Sequence, residues 1–422
     1  PNRQSSMAQT PQQTEDRMNR PEKLPRNASP HIASRMAGIE PFHVMALIAR
    51  ARELEARGRS ISNMVVGEPD APTPPLIAEA GIRAIQAGRV GYTQSLGITE
   101  LRDAIADWYR SRYRVDVPRS RIAVTTGSSG ALLLTMGALL SPGDRVLMTD
   151  PGYPCNRHFV RAMEGDPVGV PVDASTAYQL TARLVEKHWT PKTAAVLIAS
   201  PSNPTGTLIA HDELERIHAL VRARGGVLIV DEIYHGLTYG QRDRSALEFA
   251  DDVFVINSFS KYFGMTGWRL GWMVVPEAIM PAVDKLAQNL FISSSELAQK
   301  AALAAFHPDT TALLDQRRDA FRAQRDFLVP ELRSVGFDIP VMPEGAFYIY
   351  ANCERLTSDS YQFCWDVLEK AGVAIAPGID FGDHRAKQHV RFSYPKPVPV
   401  LQEGVRRLRE YLGNQKSARG EE

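Results

Sequence analysis

One lysine, Lys261, sits in the stretch from Ser258 to Gly271. Ser258 and Ser260 precede it, glycine and aromatic residues come after it, and Arg269 stands eight residues on. A lysine in such company is partly desolvated, which lowers its pKa and frees its amine to attack a carbonyl carbon. The plain alternative is a solvated surface lysine. Three other segments bear on the choice. Thr125-Thr126-Gly127-Ser128-Ser129-Gly130 joins a predicted strand to a predicted helix, and N–H groups at a helix start, beside glycine and hydroxyls, suit a phosphate; the alternative is a helix capped by serine. Ser200-Pro201-Ser202-Asn203-Pro204-Thr205-Gly206 reads either as a rigid turn, whose X-Pro bonds are sometimes cis, or as a mount aiming the Asn203 amide at a cofactor oxygen. Asp231-Glu232-Ile233-Tyr234 closes an apolar run, so the Asp231 carboxylate faces a low-dielectric crevice and needs a cationic partner, unless it merely caps a helix or joins a salt bridge.

The elements that position these residues alternate. Strands are predicted at Ile122–Thr126, Arg145–Met148, Ala194–Ile198, Val227–Val230, Val253–Ile256 and Leu270–Val275, with helices at Ala131–Leu140 and Asp212–Arg224. That alternation predicts an α/β fold with a mostly parallel central sheet and helices on both faces, in which ligands bind beyond the carboxyl ends of the strands. Gly127, Asn203, Asp231 and Ser258 all fall there. Upstream, helices are predicted from Ile39 to a stop at Gly58, over Pro75–Gly88 and over Thr99–Tyr113, with Tyr92 in the loop between the last two. Downstream, a charged helix over Thr310–Val335 leads to strands at Phe337–Val341, Phe347–Tyr350, Val373–Ala376 and His389–Ser393 and helices at Tyr361–Ala371 and Pro399–Leu412, a smaller α+β domain. The expected organisation is a flexible arm over 1–30, a segment 31–62 packing with the small domain, a large domain over 63–308 and the small domain over 309–422.

Composition sets bounds. A chain of 422 residues is long for one core, and 44% hydrophobic with 23% charged residues is ordinary for a globular protein. A formal net charge of +1 gives no reason to expect nucleic acid or a membrane as partner. Cys155, Cys353 and Cys364 are widely spaced, which fits a reducing cytoplasm, and no metal-ligand spacing stands out. The arm lacks the apolar segment of a signal peptide.

Taken in order, Asn203-Pro204-Thr205-Gly206, Asp231-x-x-Tyr234 and Ser258-x-Ser260-Lys261 with Arg269 resemble the fold-type I pyridoxal-phosphate aminotransferases of class I/II, the aspartate aminotransferase-like group. The resemblance runs from about residue 31 to 412. It takes in Gly67-Glu68-Pro69-Asp70, Tyr92…Gly97…Leu101-Arg102, Gly345-Ala346-Phe347-Tyr348, Pro377-Gly378…Phe381-Gly382 and Val390-Arg391-Phe392-Ser393. It implies that Lys261 binds pyridoxal 5′-phosphate covalently and then shuttles a proton. Asp231 pairs with the pyridinium nitrogen, Tyr234 and Asn203 bond the ring oxygen, and Tyr153 stacks on the ring. Ser128, Ser129, Ser258 and Arg269 hold the phosphate, with Tyr92 from a neighbouring subunit of a homodimer. Arg391, helped by the N–H of Gly67, forks the substrate carboxylate. The reaction implied is a ping-pong transfer between pyridoxal and pyridoxamine forms, from an L-amino acid to a 2-oxo acid such as 2-oxoglutarate or pyruvate.

Two departures bear on the donor. Aspartate-specific relatives place a second cation either as a lysine where this chain has Ser129 or as a partner-subunit arginine near the segment Gln288–Ser295, which holds no Arg or Lys here. A neutral donor is therefore favoured, with an aspartate aminotransferase as the alternative for substrate. Arg35 and His43 are further cations whose direction the sequence leaves open. Other readings are the same fold and cofactor used for C–S lyase, decarboxylase or synthase chemistry, and a non-catalytic regulator half, against which the polar arm is too short and unpatterned for a DNA-binding domain.

Overall fold

The computed structural model describes residues 31–419, so the predicted arm over 1–30 lies outside the described residues. A single 3-10 turn, Ser34–Gly38, belongs to a unit of its own and holds Arg35; the body begins at Ile39. In chain order the body carries α1 (His43–Ala56), β1 (Ser62–Asn63), α2 (Pro75–Gln86), α3 (Thr99–Tyr113), β2 (Ile122–Thr125), α4 (Gly127–Leu139), β3 (Arg145–Asp150), α5 (Pro154–Ala162), β4 (Asp166–Pro171), α6 (Ala182–His188), β5 (Thr193–Ala199), α7 (His211–Ala223), β6 (Val227–Asp231), β7 (Phe254–Ser258), β8 (Gly271–Val274), α8 (Met280–Leu290) and α9 (Glu296–Ala302). Beyond these come α10 (Pro308–Ser334), β9 (Tyr348–Asn352), α11 (Ser360–Asp366), β10 (Val373–Ala374), β11 (Ala376–Pro377), β12 (His389–Ser393) and α12 (Val398–Arg419).

The central sheet runs β2-β8-β7-β6-β5-β3-β4. β8 is antiparallel to both its neighbours, and the other pairings are parallel. Its middle strands are apolar but for their end residues, because alternate side chains enter two cores. Val196, Ile198, Leu228, Val230 and Val255 face one; Ala195, Leu197, Ile229, Phe254 and Ile256 face the other, with α4, α5 and α8 packed on it. The strand ends are thereby fixed on both sides. A Cβ on Gly271 would lie 2.8 Å from the Asn257 oxygen and 2.9 Å from the Ser128 nitrogen, so β8 approaches the start of α4 closely only because that residue is glycine.

Several expectations are corrected. α4 starts at Gly127, four residues before the predicted Ala131, which puts Ser128 and Ser129 inside its first turn. No strand forms over Phe337–Val341; a lone bridge pairs Asp338 with Asn352, since Pro340 cannot donate to a ladder. The run Val373–Ala376 is split: Val373 and Ala374 pair in parallel with β1, whereas Ala376 and Pro377 pair antiparallel with β12. The predicted Tyr361–Ala371 helix is α-helical to Asp366 and then a π turn, Val367–Ala371. α5, β4, α6, α8 and α9 were not predicted.

The start of α1 has no cap from its own Phe42. Instead Asp380, 337 and 336 residues away, accepts the N–H groups of His43 and Val44, both at 2.8 Å. Arg50 of the same helix pairs with Glu369 at 2.6 Å. Replacing Asp380 by Ala is expected to cost about 1–2 kcal/mol of stability in urea unfolding, the scale of a lost helix cap. An unchanged midpoint would show that the two bonds hold nothing.

Candidate active site

The carboxyl edge of the central sheet gathers most of the residues singled out by their chemistry. Lys261 lies just beyond β7, and its Nζ donates to the Gly67 oxygen at 2.7 Å. The ring centroids of Tyr234 and Phe347 each lie 5.9 Å from the same nitrogen. Burial first, then the positive charges of Arg391 and Arg269, hold the Lys261 amine down at about 8, against the pull of Glu68 and Asp231. At pH 8 about half of such amines are neutral, against well under one per cent of ordinary lysines. Asp231 closes β6, only 4% exposed, and its Oδ1 accepts the N–H of Ile233 at 3.1 Å. Burial and the adjacent Glu232 push its carboxyl up to about 7, although the Ile233 N–H, His235 and Lys261 favour the anion.

The crevice has a second floor from the C-terminal sheet. Arg391 on β12 is 2% exposed; Nη1 donates to Asn203 Oδ1 at 3.0 Å and Nη2 to the Val65 oxygen at 2.8 Å. Its guanidinium lies between two rings, 4.5 Å from Tyr348 and 4.8 Å from Phe381. Tyr348 OH shares a 2.9 Å hydrogen bond with Tyr234 OH and lies 3.4 Å from the Gly67 oxygen, and a Cβ on Gly67 would crowd it at 2.6 Å. Asn203 stands before a cis proline bond to Pro204, and Ser200–Pro201 is cis as well.

At the other end of the crevice Arg269, in left-handed backbone conformation, lies against the start of α4: a Cβ on Gly127 would sit 2.8 Å from its Nη2. Thr126 supplies no side-chain cap there, so the first-turn N–H groups around Ser128 and Ser129 point out of the helix end. The buried Ser258 hydroxyl, 3.2 Å from the Leu270 oxygen and 3.0 Å from Ser260 Oγ, lies on β7 across from Gly271. Tyr153, at the start of α5, lines a cleft with Asn156, Arg157, Ser202 and Phe381. Tyr92 stands apart, 84% exposed on the loop after α2. His43 turns its ring edge-on to Tyr361, 5.3 Å away. In the sequence Tyr348 and Phe381 stand out only as members of motifs; their work as walls for Arg391 depends on contacts between distant strands, which spacing does not reveal.

These donors fit pyridoxal phosphate. Within one crevice lie a lysine amine of lowered basicity, a buried carboxyl suited to a cationic ring nitrogen, and a helix start with an arginine and hydroxyls. Arg391 Nε adds a buried donor with no protein partner. Among the described residues no group of three or more His, Cys, Asp or Glu is placed to hold a metal, and no helix is long and apolar enough to cross a membrane.

A lysine-centred crevice at the carboxyl edge of such a sheet defines an enzyme of amino-group chemistry. The chain belongs to the class I and II aminotransferases, a pyridoxal-phosphate-dependent family: the family model, described as aminotransferase class I and II, matches residues 59–408. It is 40% identical over 381 residues to the valine–pyruvate aminotransferase of Mycobacterium tuberculosis, covering 90% of this chain and 98% of that one. A solved aminotransferase structure from Mycobacterium tuberculosis superposes with a TM-score of 0.88 at 40% identity, covering 92% of this chain and all of the other. The aspartate aminotransferase of Thermus thermophilus, solved with maleate, gives a TM-score of 0.86 at 31% identity over 90% of this chain and all of its own. The aspartate aminotransferase-like fold and the transaminase activity expected from the sequence thus hold.

A carboxyl pushed up in the fold binds protons that the unfolded chain has released, so its contribution to stability falls as pH rises from about 4 to about 7. Replacing Asp231 by Asn removes that cost. In cofactor-free protein the variant is expected to raise Tm at pH 8 and to lose the advantage near pH 4, while transamination falls by about two to three orders of magnitude. A Tm difference independent of pH would mean that Asp231 is not held as described.

Proposed function

We propose that this chain moves the amino group of a neutral L-amino acid to a 2-oxo acid such as pyruvate or 2-oxoglutarate by a ping-pong cycle, the first product leaving before the second substrate binds. The observation that carries the donor reading is the pairing of one buried carboxylate fork, Arg391, with no second cation at the family's usual places. Ser129 occupies one, and the segment Gln288–Ser295 has neither Arg nor Lys. Leaving a side-chain carboxylate unpaired in the crevice would cost several kcal/mol, roughly 2–7 for a polar group and more for a charge. The similarity to a valine–pyruvate aminotransferase supports the same reading. Aspartate remains the second reading, favoured by Arg157, which lines the cleft beside Tyr153 although its Nη2 donates to the Asp380 oxygen at 3.2 Å.

Pyridoxal phosphate, when bound, supplies an aldehyde that captures amines and a ring that accepts the electron pair left at the substrate Cα. Lys261 would hold it through its amine, and the freed amine would serve as the base and acid that moves the substrate Cα proton. Asp231 would lie against the ring nitrogen, its carboxylate pairing with that nitrogen in protonated form. Tyr234 and Asn203 hold the ring oxygen, and Tyr153 covers a ring face. Ser128, Ser129, Ser258 and Arg269 bind the phosphate. Arg391 takes the substrate carboxylate with the Gly67 N–H. Lyase, decarboxylase or synthase outcomes would need a different Cα bond held perpendicular to the ring.

The same reading makes the active unit a homodimer. Val90 and Tyr92 on one loop, Leu290 at the end of α8 and Ile292 just beyond it are all at least half exposed, a concentration of apolar side chains that suits a partner surface. The loop is braced on that region by the Gly91 N–H to Glu296 at 2.6 Å and the Thr93 N–H to Ser293 Oγ at 3.3 Å. This reading assigns 63–308 to the large domain and 309–422 to the small one, with α1 packed on the latter. Three free cysteines, Cys353 and Cys364 buried, support a cytoplasmic setting.

With pyruvate or 2-oxoglutarate as acceptor, kcat/KM is expected to favour valine, alanine, leucine, methionine or phenylalanine over aspartate; a clear preference for aspartate sinks the donor reading. Lys261→Ala is expected to lose the absorbance band of lysine-bound cofactor and all turnover, and Tyr92→Ala to weaken cofactor binding so far that little turnover remains without added cofactor. Mixed and allowed to exchange, the two inactive variants should recover about a quarter of wild-type activity, because one site of each hybrid dimer is then intact. No recovery from dimers shown to exchange would remove Tyr92 from the partner's site.

A further inference from the structure

Asp150, which ends β3, has no part in the chemistry above, yet its carboxylate is spent on a distant loop. Oδ2 accepts the N–H groups of Asp383 at 3.1 Å and His384 at 3.2 Å, 233 and 234 residues away. Between them the Gly152 N–H donates to the Phe381 oxygen at 2.7 Å. A Cβ on Gly382 would collide with the Asp150 carboxylate, so the loop closes on it only with glycine there. The residue so pinned is Phe381, 1% exposed, whose ring lies 4.8 Å from the Arg391 guanidinium. The other wall, Tyr348, is held independently through Tyr234. The guanidinium therefore lies against two rings, and each ring has a separate tether.

We propose that Asp150 is a positioning residue for the substrate-carboxylate fork, acting through Phe381 on Arg391. The central sheet thereby sets the orientation of an arginine that belongs to the C-terminal sheet. A guanidinium recognises a carboxylate in two parallel bonds, so a small rotation costs one of them, and a ring locked on its face prevents that rotation. The inference rests on the reading of Arg391 as that fork.

The test uses full-length enzyme loaded with cofactor and titrated with isovalerate, an unreactive carboxylate, with the cofactor absorbance as readout; cofactor affinity is measured separately by reconstitution. Asp150→Ala is expected to raise the isovalerate Kd by about tenfold, the scale of one buried cation–π contact. Asp150→Asn, which keeps one acceptor, should raise it less. KM for the amino donor should rise with kcat nearly unchanged, and cofactor affinity should stay within about twofold. Phe381→Leu should match Asp150→Ala, and the double variant should be no worse than either alone, since both remove the same wall. An unchanged isovalerate Kd in Asp150→Ala, equal losses of cofactor and carboxylate affinity, or effects that multiply would overturn the proposal. Should Asp150→Ala not fold, Asp150→Asn and Phe381→Leu decide it. Arg391→Lys separates the two readings: if it leaves isovalerate binding intact, the fork itself is wrong, whereas a loss there with none in the Asp150 variants rejects the positioning role alone.

Discussion

Charge taken out of water is the constraint on which the rest depends. Lys261, Asp231 and Arg391 meet in one crevice, and each is shifted foremost by burial. Each burial works against folding, and is offset only where partners and hydrogen bonds are held in place around the charge. The sheet supplies that backbone: β6 and β7 are apolar on both faces, so Asp231 and Ser258 at their ends cannot swing toward solvent without opening two cores. The lysine is thereby kept less basic, the direction that amine attack requires, while Asp231, pushed toward its neutral form, carries its charge only when a cation is there to pair with it.

The same constraint decides how much of the site is legible in the sequence. Strands buried on both faces read as short apolar runs, and the chemistry-bearing residues stand immediately after those runs. Asp231, Lys261 and Arg391 could therefore be placed at strand ends or inside a strand from the sequence. β4 could not be read, because Asp166-Pro-Val-Gly-Val-Pro171 carries two prolines and a glycine and survives only as an edge strand beside β3. α6 is seven residues long, too short for a helical period to emerge. The strand pair β10 and β11 looked like one run because periodicity cannot show a strand handed from one sheet to another at Ile375.

Contacts between distant residues account for the rest. Nothing near His43 announces that the cap of α1 comes from Asp380, and nothing near Asp150 announces that its acceptors serve Asp383 and His384. Phe381 shows the same limit. Phe381-Gly382 is recognisable as a motif, but that the ring covers Arg391 and the glycine yields to Asp150 depends on three segments meeting.

The two kinds of holding differ in strength, and the difference divides the molecule's tasks. Strand ends locked by two cores can part only with loss of a large apolar area, so Asp231 and Ser258, with Lys261 just beyond, keep one geometry. The loop from Gly378 to His384 and the start of α1 are joined to their surroundings largely by carboxylates gripping single N–H groups, each worth about 1–3 kcal/mol as a charge-assisted bond. Contacts of that size yield first when a protein opens locally. Arg391 sits on the border, its strand buried but one ring wall, Phe381, carried by the weaker seam. The grip that Arg391 is proposed to exert can therefore be altered through Asp150 and Phe381 while Lys261 and Asp231 keep their geometry.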